Sequence, residues 1–202
     1  RERETLLRLA KAGEYRDEET GNHVIRMAKY SRIIAEELGF SSEDADVIEM
    51  AAPMHDIGKI GIKDDILLKP GKLTPEEFMI MKEHTLIGYE ILKDSPSKFL
   101  KMGAVIALGH HEKFDGSGYP HGRKGDEIPK VARIVAVADV YDALVSERPY
   151  KHAWPLQTAL DYMEKQRGIH FDPECFDAFK AQLDVIMRIQ NMLPDLPVAR
   201  NQ

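Results

Sequence analysis

The sequence predicts an all-α fold, and three observations carry that prediction. Apolar residues recur at helical spacing along most of the chain, runs of alternating β-branched residues are missing, and capping and stop residues punctuate the periodic stretches. Residues 1–13 are charged, with Leu6, Leu7 and Ala10 on one side, and read as the end of a connecting helix able to self-associate. A second helix is expected over about residues 18–38, burying Ile25, Ala28, Ile33, Ala35 and Leu38 and ended by Gly39. Ser41 or Ser42 caps a third, which holds Ala45, Ile48, Ala51 and Ala52 inside, runs into His55-Asp56 and stops at Gly58. Thr74-Pro75-Glu76-Glu77 combines an N-cap, an N1 proline and an N3 glutamate, and the helix it opens is expected to carry Phe78, Met81, His84 and Leu92. A further helix from about Lys98 ends in His110-His111. Residues 112–129 form the long irregular stretch, rich in glycine. A buried helix follows over about residues 130–145, and Pro155 and Pro173 stand where N1 prolines would open two last helices.

With 202 residues the chain is long enough for one large domain and a substantial core. A net charge of -6 argues against a general surface for nucleic-acid polymers or acidic membranes, so a small anionic ligand would need a local basic pocket. The longest apolar runs, residues 104–108 and 134–138, are far too short to span a bilayer. Cys175 is the single cysteine, which excludes an internal disulfide and a thiolate metal cage and suits a reducing, cytoplasmic compartment. The chain starts at Arg1 rather than Met and is expected to be part of a longer protein, with residues 1–13 leading from an upstream regulatory domain and residues 14–202 forming the catalytic unit.

The histidines carry the chemistry. Glu19 and His23 stand four apart and share a helix face. His55-Asp56 is placed at a helix end, where a carboxylate can bridge two ions. His84 is placed mid-helix. His110 and His111, being adjacent, point roughly 100° apart on a helix, which suits two neighbouring ions, or one ion and one phosphate, better than one shared ion. Asp139 interrupts an apolar helix and needs a partner, because an unpaired buried carboxylate is costly. Each feature has a plainer alternative. Asp139 could pair with Arg133 or Lys130, Glu19 could serve the helix dipole, and Lys59 could be a solvated lysine. His121, His152 and His170 read as non-ligands, His170 as a packing or turn residue beside Phe171. Jointly the set offers more imidazole and carboxylate ligands than one metal can use. Without sulfur it suits iron, manganese or zinc, and a dinuclear site of this kind promotes hydrolysis of phosphoesters.

His55-Asp56-Ile57-Gly58-Lys59-Ile60 and the run from His110 to Pro120, HHEKFDGSGYP, resemble the HDIGK and HHE-x-x-DG-x-GYP signatures of the HD-GYP branch of the HD phosphohydrolase superfamily. Glu19-Thr20-Gly21-Asn22-His23, His84-Thr85, the Asp139 to Leu144 run and Arg148-Pro149-Tyr150-Lys151 are similar to its flanking elements. The resemblance implies a helical bundle of the HD type around a di- or trinuclear metal centre. It implies metal ligands at His23, His55, Asp56, His84, His110, His111 and Asp139, with Asp56 bridging and Glu19 supplying a third ion, and iron as the metal with manganese as the alternative. His55, Asp56 and Lys59 are the implied catalytic residues. Lys59, Arg148 and Lys151 are the implied substrate contacts, although lysine fills a place where arginine is also frequent, giving up the bidentate fork.

Gly118 and Tyr119 are expected to lie over the substrate in a shaped loop, which could act as a lid or simply hold structure. The implied activity is hydrolysis of cyclic di-GMP to linear pGpG, and in some members on to GMP. Two alternatives stand beside it: a cyclic GMP-AMP phosphodiesterase, and a non-hydrolytic cyclic di-GMP sensor. The implied partners are the cyclic dinucleotide, an upstream receiver or sensory domain, a diguanylate cyclase at the GYP loop, and a second copy of the chain in a homodimer.

Overall fold

Helices account for the regular structure throughout residues 1–17, 21–148 and 151–195, which a computed structural model describes. They run in the order α1 (Glu2–Glu14), α2 (Gly21–Glu37), α3 (Ser42–Ala51), α4 (Asp64–Leu67), α5 (Pro75–Lys82), α6 (His84–Leu92), α7 (Lys98–Gly109), α8 (Lys130–Val145), α9 (Leu156–Lys165), α10 (Pro173–Ala181) and α11 (Leu183–Met192). Among the described residues no strand forms, only two isolated bridges, Arg148 to Lys151 and Arg167 to Phe171. No helix there is long and apolar enough to cross a membrane.

Local chemistry sets the boundaries. Ser41 caps α3 by accepting the Asp44 N–H, and Thr74 and Glu77 close a reciprocal capping box at α5. Helix α8 spans the predicted residues, and Pro173 sits at N1 of α10. Pro155 instead precedes α9 as its N-cap, and α11, which follows α10 with only Gln182 between, was not predicted. No glycine or proline marks that junction.

The main core gathers α2, α3, α7, α8, α10 and α11 around Ile34, Ile48, Ile106, Val135, Tyr141, Phe176 and Phe179. Each such side chain contributes on the order of 1.5–3 kcal/mol by leaving water. Ala28 and Ala35 of α2 are buried as expected, but its large inward residues differ from the expected ones. Val24, Met27, Tyr30 and Ile34 are inside, while Ile25, Ile33 and Leu38 are only half-buried. The cause is polar: His23 and Arg26 also face inward, toward α8. A second cluster joins Leu6 and Ala10 of α1 to Met54, Ile57, Leu92 and Ala104.

Two predicted helices are broken, and both breaks lie at the site. Helix α3 ends at Ala51, and a 3-10 turn over Ala52–Met54 and another over Ile57–Gly61 flank His55-Asp56. The helix from Thr74 stops at Lys82, and a new one opens at His84, which is therefore an end residue and not mid-helix.

Candidate metal centre

The backbone aims each imidazole. His55 Nδ1 lies 2.9 Å from the Ala52 carbonyl, His84 Nδ1 2.7 Å from that of Met81, and His110 Nδ1 3.1 Å from that of Ile106. A proton on each Nδ1 donates to the carbonyl and leaves Nε2 turned inward as a lone pair. Gly58 makes the packing possible. A Cβ there would stand 1.8 Å from the His84 carbonyl oxygen, so only glycine lets the 3-10 turn of the HDIGK segment lie against α6. Gly118 does the same for the loop, since its Cβ would stand 2.4 Å from the His111 carbonyl oxygen.

His23 is aimed differently. Its Nδ1 is 2.6 Å from Asp142 Oδ2, one turn of α8 beyond Asp139. Asp142 is fully buried and accepts from Arg26, whose guanidinium also pairs with Asp195. Burial alone would raise the Asp142 carboxyl, but the His23 and Arg26 hydrogen bonds hold it below the ordinary carboxylate range. The Arg26 guanidinium is correspondingly raised, against its own burial, by Asp142 and Asp195. This carboxylate–histidine–arginine chain is absent from the sequence reading.

The inward atoms fall into two abutting groups. Asp56, His84, His110 and His111 can each offer one ligand atom within 4.8 Å of the others, and so can His23, His55 and Asp139. Asp56 spans the join. Its Oδ1 is 3.4 Å from His84 Nε2 and 3.2 Å from His110 Nε2, while Oδ2 is 3.1 Å from His55 Nε2. Asp139 Oδ1 is 3.4 Å from His23 Nε2 and 3.5 Å from His55 Nε2. A third set brings Glu14 of α1 within the same reach of His55 and Asp56. His110 and His111 fall in the same candidate ligand group. Helix α7 ends at Gly109, His110 is its C-cap, and the two rings, 4.1 Å apart, join one group.

These residues fit a divalent metal centre. His55 Nε2, His84 Nε2, His110 Nε2 and Asp56 Oδ1 are buried without a hydrogen-bond partner, a state that costs free energy unless a cation meets them. Burial lowers the imidazoles of His110 and His111, keeping them neutral and able to ligate. Burial would raise the Asp56 and Asp139 carboxyls, yet His55 and the other neighbours outweigh it and hold both well below their ordinary range. His55 is itself driven up, despite burial, by the same two carboxylates. Such a cluster demands positive charge at its middle.

Lys59 and Tyr119 touch the ligand residues directly. Lys59 Nζ sits 2.6 Å from Asp17 and 3.1 Å from Asp56, so it is an ion-paired residue and not a solvated one. Tyr119 stacks on His111 at 4.8 Å and 16°, and its N–H donates to the His111 carbonyl. Glu112, buried, accepts the N–H groups of His121 and Arg123 and folds the loop back. Backbone N–H groups of Phe114 and Asp115 stitch the loop to the carbonyls of His170 and Ile169. The His170 ring packs on Phe171 at 4.5 Å, as a packing residue would. Arg148 and Lys151 exchange backbone hydrogen bonds, and Lys151 Nζ donates to the carbonyls of Ala143, Leu144 and His152. Asp139 does not pair with Arg133 or Lys130, which both reach Asp172. Glu19 lies outside the described residues.

Comparison with known proteins gives a consistent picture. Residues 7–175 match the family described as HD domain. The chain is 57% identical, over 92% of its length and 50% of the relative's, to the cyclic di-GMP phosphodiesterase response regulator RpfG of Xanthomonas campestris pv. campestris. It is 55% identical, over 87% of its length and 48% of the relative's, to a cyclic di-GMP phosphodiesterase of Thermotoga maritima. The 3'3'-cGAMP-specific phosphodiesterase 2 of Vibrio cholerae is 42% identical, over 96% and 37% respectively. The chain thus spans about half or less of the curated relatives it matches. The fold is shared with the crystal structure of the V. cholerae cyclic GMP-AMP specific phosphodiesterase V-cGAP3, at a TM-score of 0.66 and 19% identity, covering 98% of this chain and 56% of that one.

Proposed function

Because the chain belongs to the HD domain family, in its HD-GYP branch, we propose that it is a metal-dependent phosphodiesterase that hydrolyses cyclic di-GMP to linear pGpG, with GMP as a possible end product. The observation that carries the proposal is the pair of abutting ligand groups joined through Asp56. Metal ions held there would supply Lewis acidity toward phosphoryl oxygens and a hydroxide-like nucleophile at neutral pH. Iron is the proposed metal and manganese the substitute, with Glu19 or Glu14 available for a third ion.

The chain's own residues do the rest. Lys59, already 3.1 Å from Asp56, is positioned to share its charge with a non-bridging oxygen of the scissile diester. Arg148 is proposed to hold the other phosphate, and Lys151 to join it after releasing at least one carbonyl acceptor. Gly118 and Tyr119 would contact the nucleotide at the edge of the centre, and the same loop is the proposed face for a diguanylate cyclase. The Asp142–His23 hydrogen bond fixes the imidazole tautomer and so the direction of its lone pair. An upstream receiver or sensory domain acting through α1, a homodimer and a cytoplasmic setting belong to the same proposal; the lone buried thiol of Cys175 supports the last.

Protein loaded anaerobically with iron or manganese should linearise cyclic di-GMP, and His55→Ala combined with Asp56→Ala should abolish turnover. Sustained hydrolysis by that double variant would refute the proposal. Cyclic GMP-AMP is a second reading, favoured by 42% identity to an enzyme named for that nucleotide. Competition between the two nucleotides decides it by the ratio of kcat/KM.

A further inference from the structure

Lys82 is a cation at the rim of the centre that the sequence reading did not use. It is the last residue of α5, two positions before His84. The junction that aims His84 also fixes its backbone, since the Lys82 carbonyl accepts the Thr85 hydroxyl at 2.9 Å while His84 Nδ1 meets the Met81 carbonyl. The side chain is half-buried. Its ammonium lies 4.8 Å from the centre of the Phe78 ring and 5.3 Å from that of Tyr119. Tyr119 in turn stacks on His111 and meets His84 edge-on at 6.4 Å. The charge therefore stands one aromatic ring away from the ligand groups.

What surrounds that charge separates it from the other cations nearby. Lys59 is held by two carboxylates, Lys151 by three carbonyls, and Arg26 by Asp142 and Asp195. Among the described residues Lys82 makes no ion pair, and two aromatic faces hold it instead. An aromatic face attracts a cation without neutralising it. The ammonium is thus kept in place with its full charge available to an anion. In a chain of net charge -6, a site for an anionic substrate needs such a local cation.

We propose that Lys82, held over Phe78 and Tyr119, is a substrate-binding residue that takes a phosphoryl oxygen of the cyclic dinucleotide. The inference rests on the phosphodiester reading above and deepens it by naming a contact. Lys82 acts on binding and not on the chemical step, because it lies outside the ligand groups.

The test compares Lys82→Met, which keeps the apolar stem, with Lys82→Arg, which keeps the charge. KM for cyclic di-GMP and Kd for its non-hydrolysable phosphorothioate analogue are measured on metal-loaded protein, with metal content and Tm checked for each variant. Lys82→Met should raise both constants about tenfold with kcat within about twofold. Lys82→Arg should recover most of the loss. A KM and Kd for Lys82→Met within twofold of wild type would overturn the assignment while leaving the enzyme reading intact. Equal weakening by both substitutions would also overturn it, because packing rather than charge would then be the cause. Wild-type protein that neither binds nor cleaves the nucleotide would remove the enzyme reading, and this inference with it.

Discussion

The two halves of the centre differ in how one imidazole, His23, is held. In the half formed by Asp56, His84, His110 and His111, helix-end carbonyls aim His84 and His110, so the main chain itself is the support. In the half formed by His23, His55 and Asp139, the Ala52 carbonyl aims His55 in the same way, but His23 depends on one side chain, Asp142, which Arg26 holds in turn. A carbonyl survives almost any substitution at its own residue, whereas a carboxylate does not. An ionised acceptor also makes imidazole a stronger ligand than a neutral carbonyl does. The first half should therefore tolerate change around it, and the second should be tunable through a residue that touches no ion.

Three substitutions sharpen that contrast. Asp56→Asn acts on the carboxylate that faces both halves, and should lower ion content in both and cut kcat/KM by on the order of a thousandfold or more; elemental analysis and kinetics check it. Asp142→Asn should weaken only the His23 half, reducing affinity for one ion roughly 10- to 100-fold while the other stays. It should also lower the stability of metal-free protein by up to about 3 kcal/mol, since Arg26 loses its buried partner and keeps Asp195, a loss seen in denaturant titration. Met81→Ala preserves the carbonyl that aims His84. Metal affinities should stay within about twofold, with a stability cost of about 1–2 kcal/mol from lost packing near Ile62 and Ile87. A loss of metal in Met81→Ala equal to that in Asp142→Asn would erase the distinction between the halves.

The same contrast marks what could be read from the sequence. Helix starts with side-chain caps were legible at Ser41 and Thr74, because the capping group is itself a residue type. The histidines and Asp139 were legible because such groups stand out in helices otherwise apolar. The breaks at residues 52–61 and at Glu83 were not, since they arise from tertiary packing: Gly58 against α6, and His84 turned into the centre. The end of the α-helix one residue before the His110-His111 doublet was likewise not legible. Asp142 lies in the Asp139 to Leu144 run, but its role is not legible there because its partner His23 lies 119 residues away. The inward placement of His23 and Arg26 on α2 follows from that pairing, which apolar periodicity does not register. Glu14 was hidden in a charged helix that gave no sign of its buried end.

Anaerobic elemental analysis of wild-type protein and Asp142→Asn, titrated with limiting iron or manganese, bears most directly on the two-part centre. Wild type should hold at least two ions per chain, and the variant should lose one of them first. A single ion in wild type, or an unchanged complement and affinity in the variant, would contradict it.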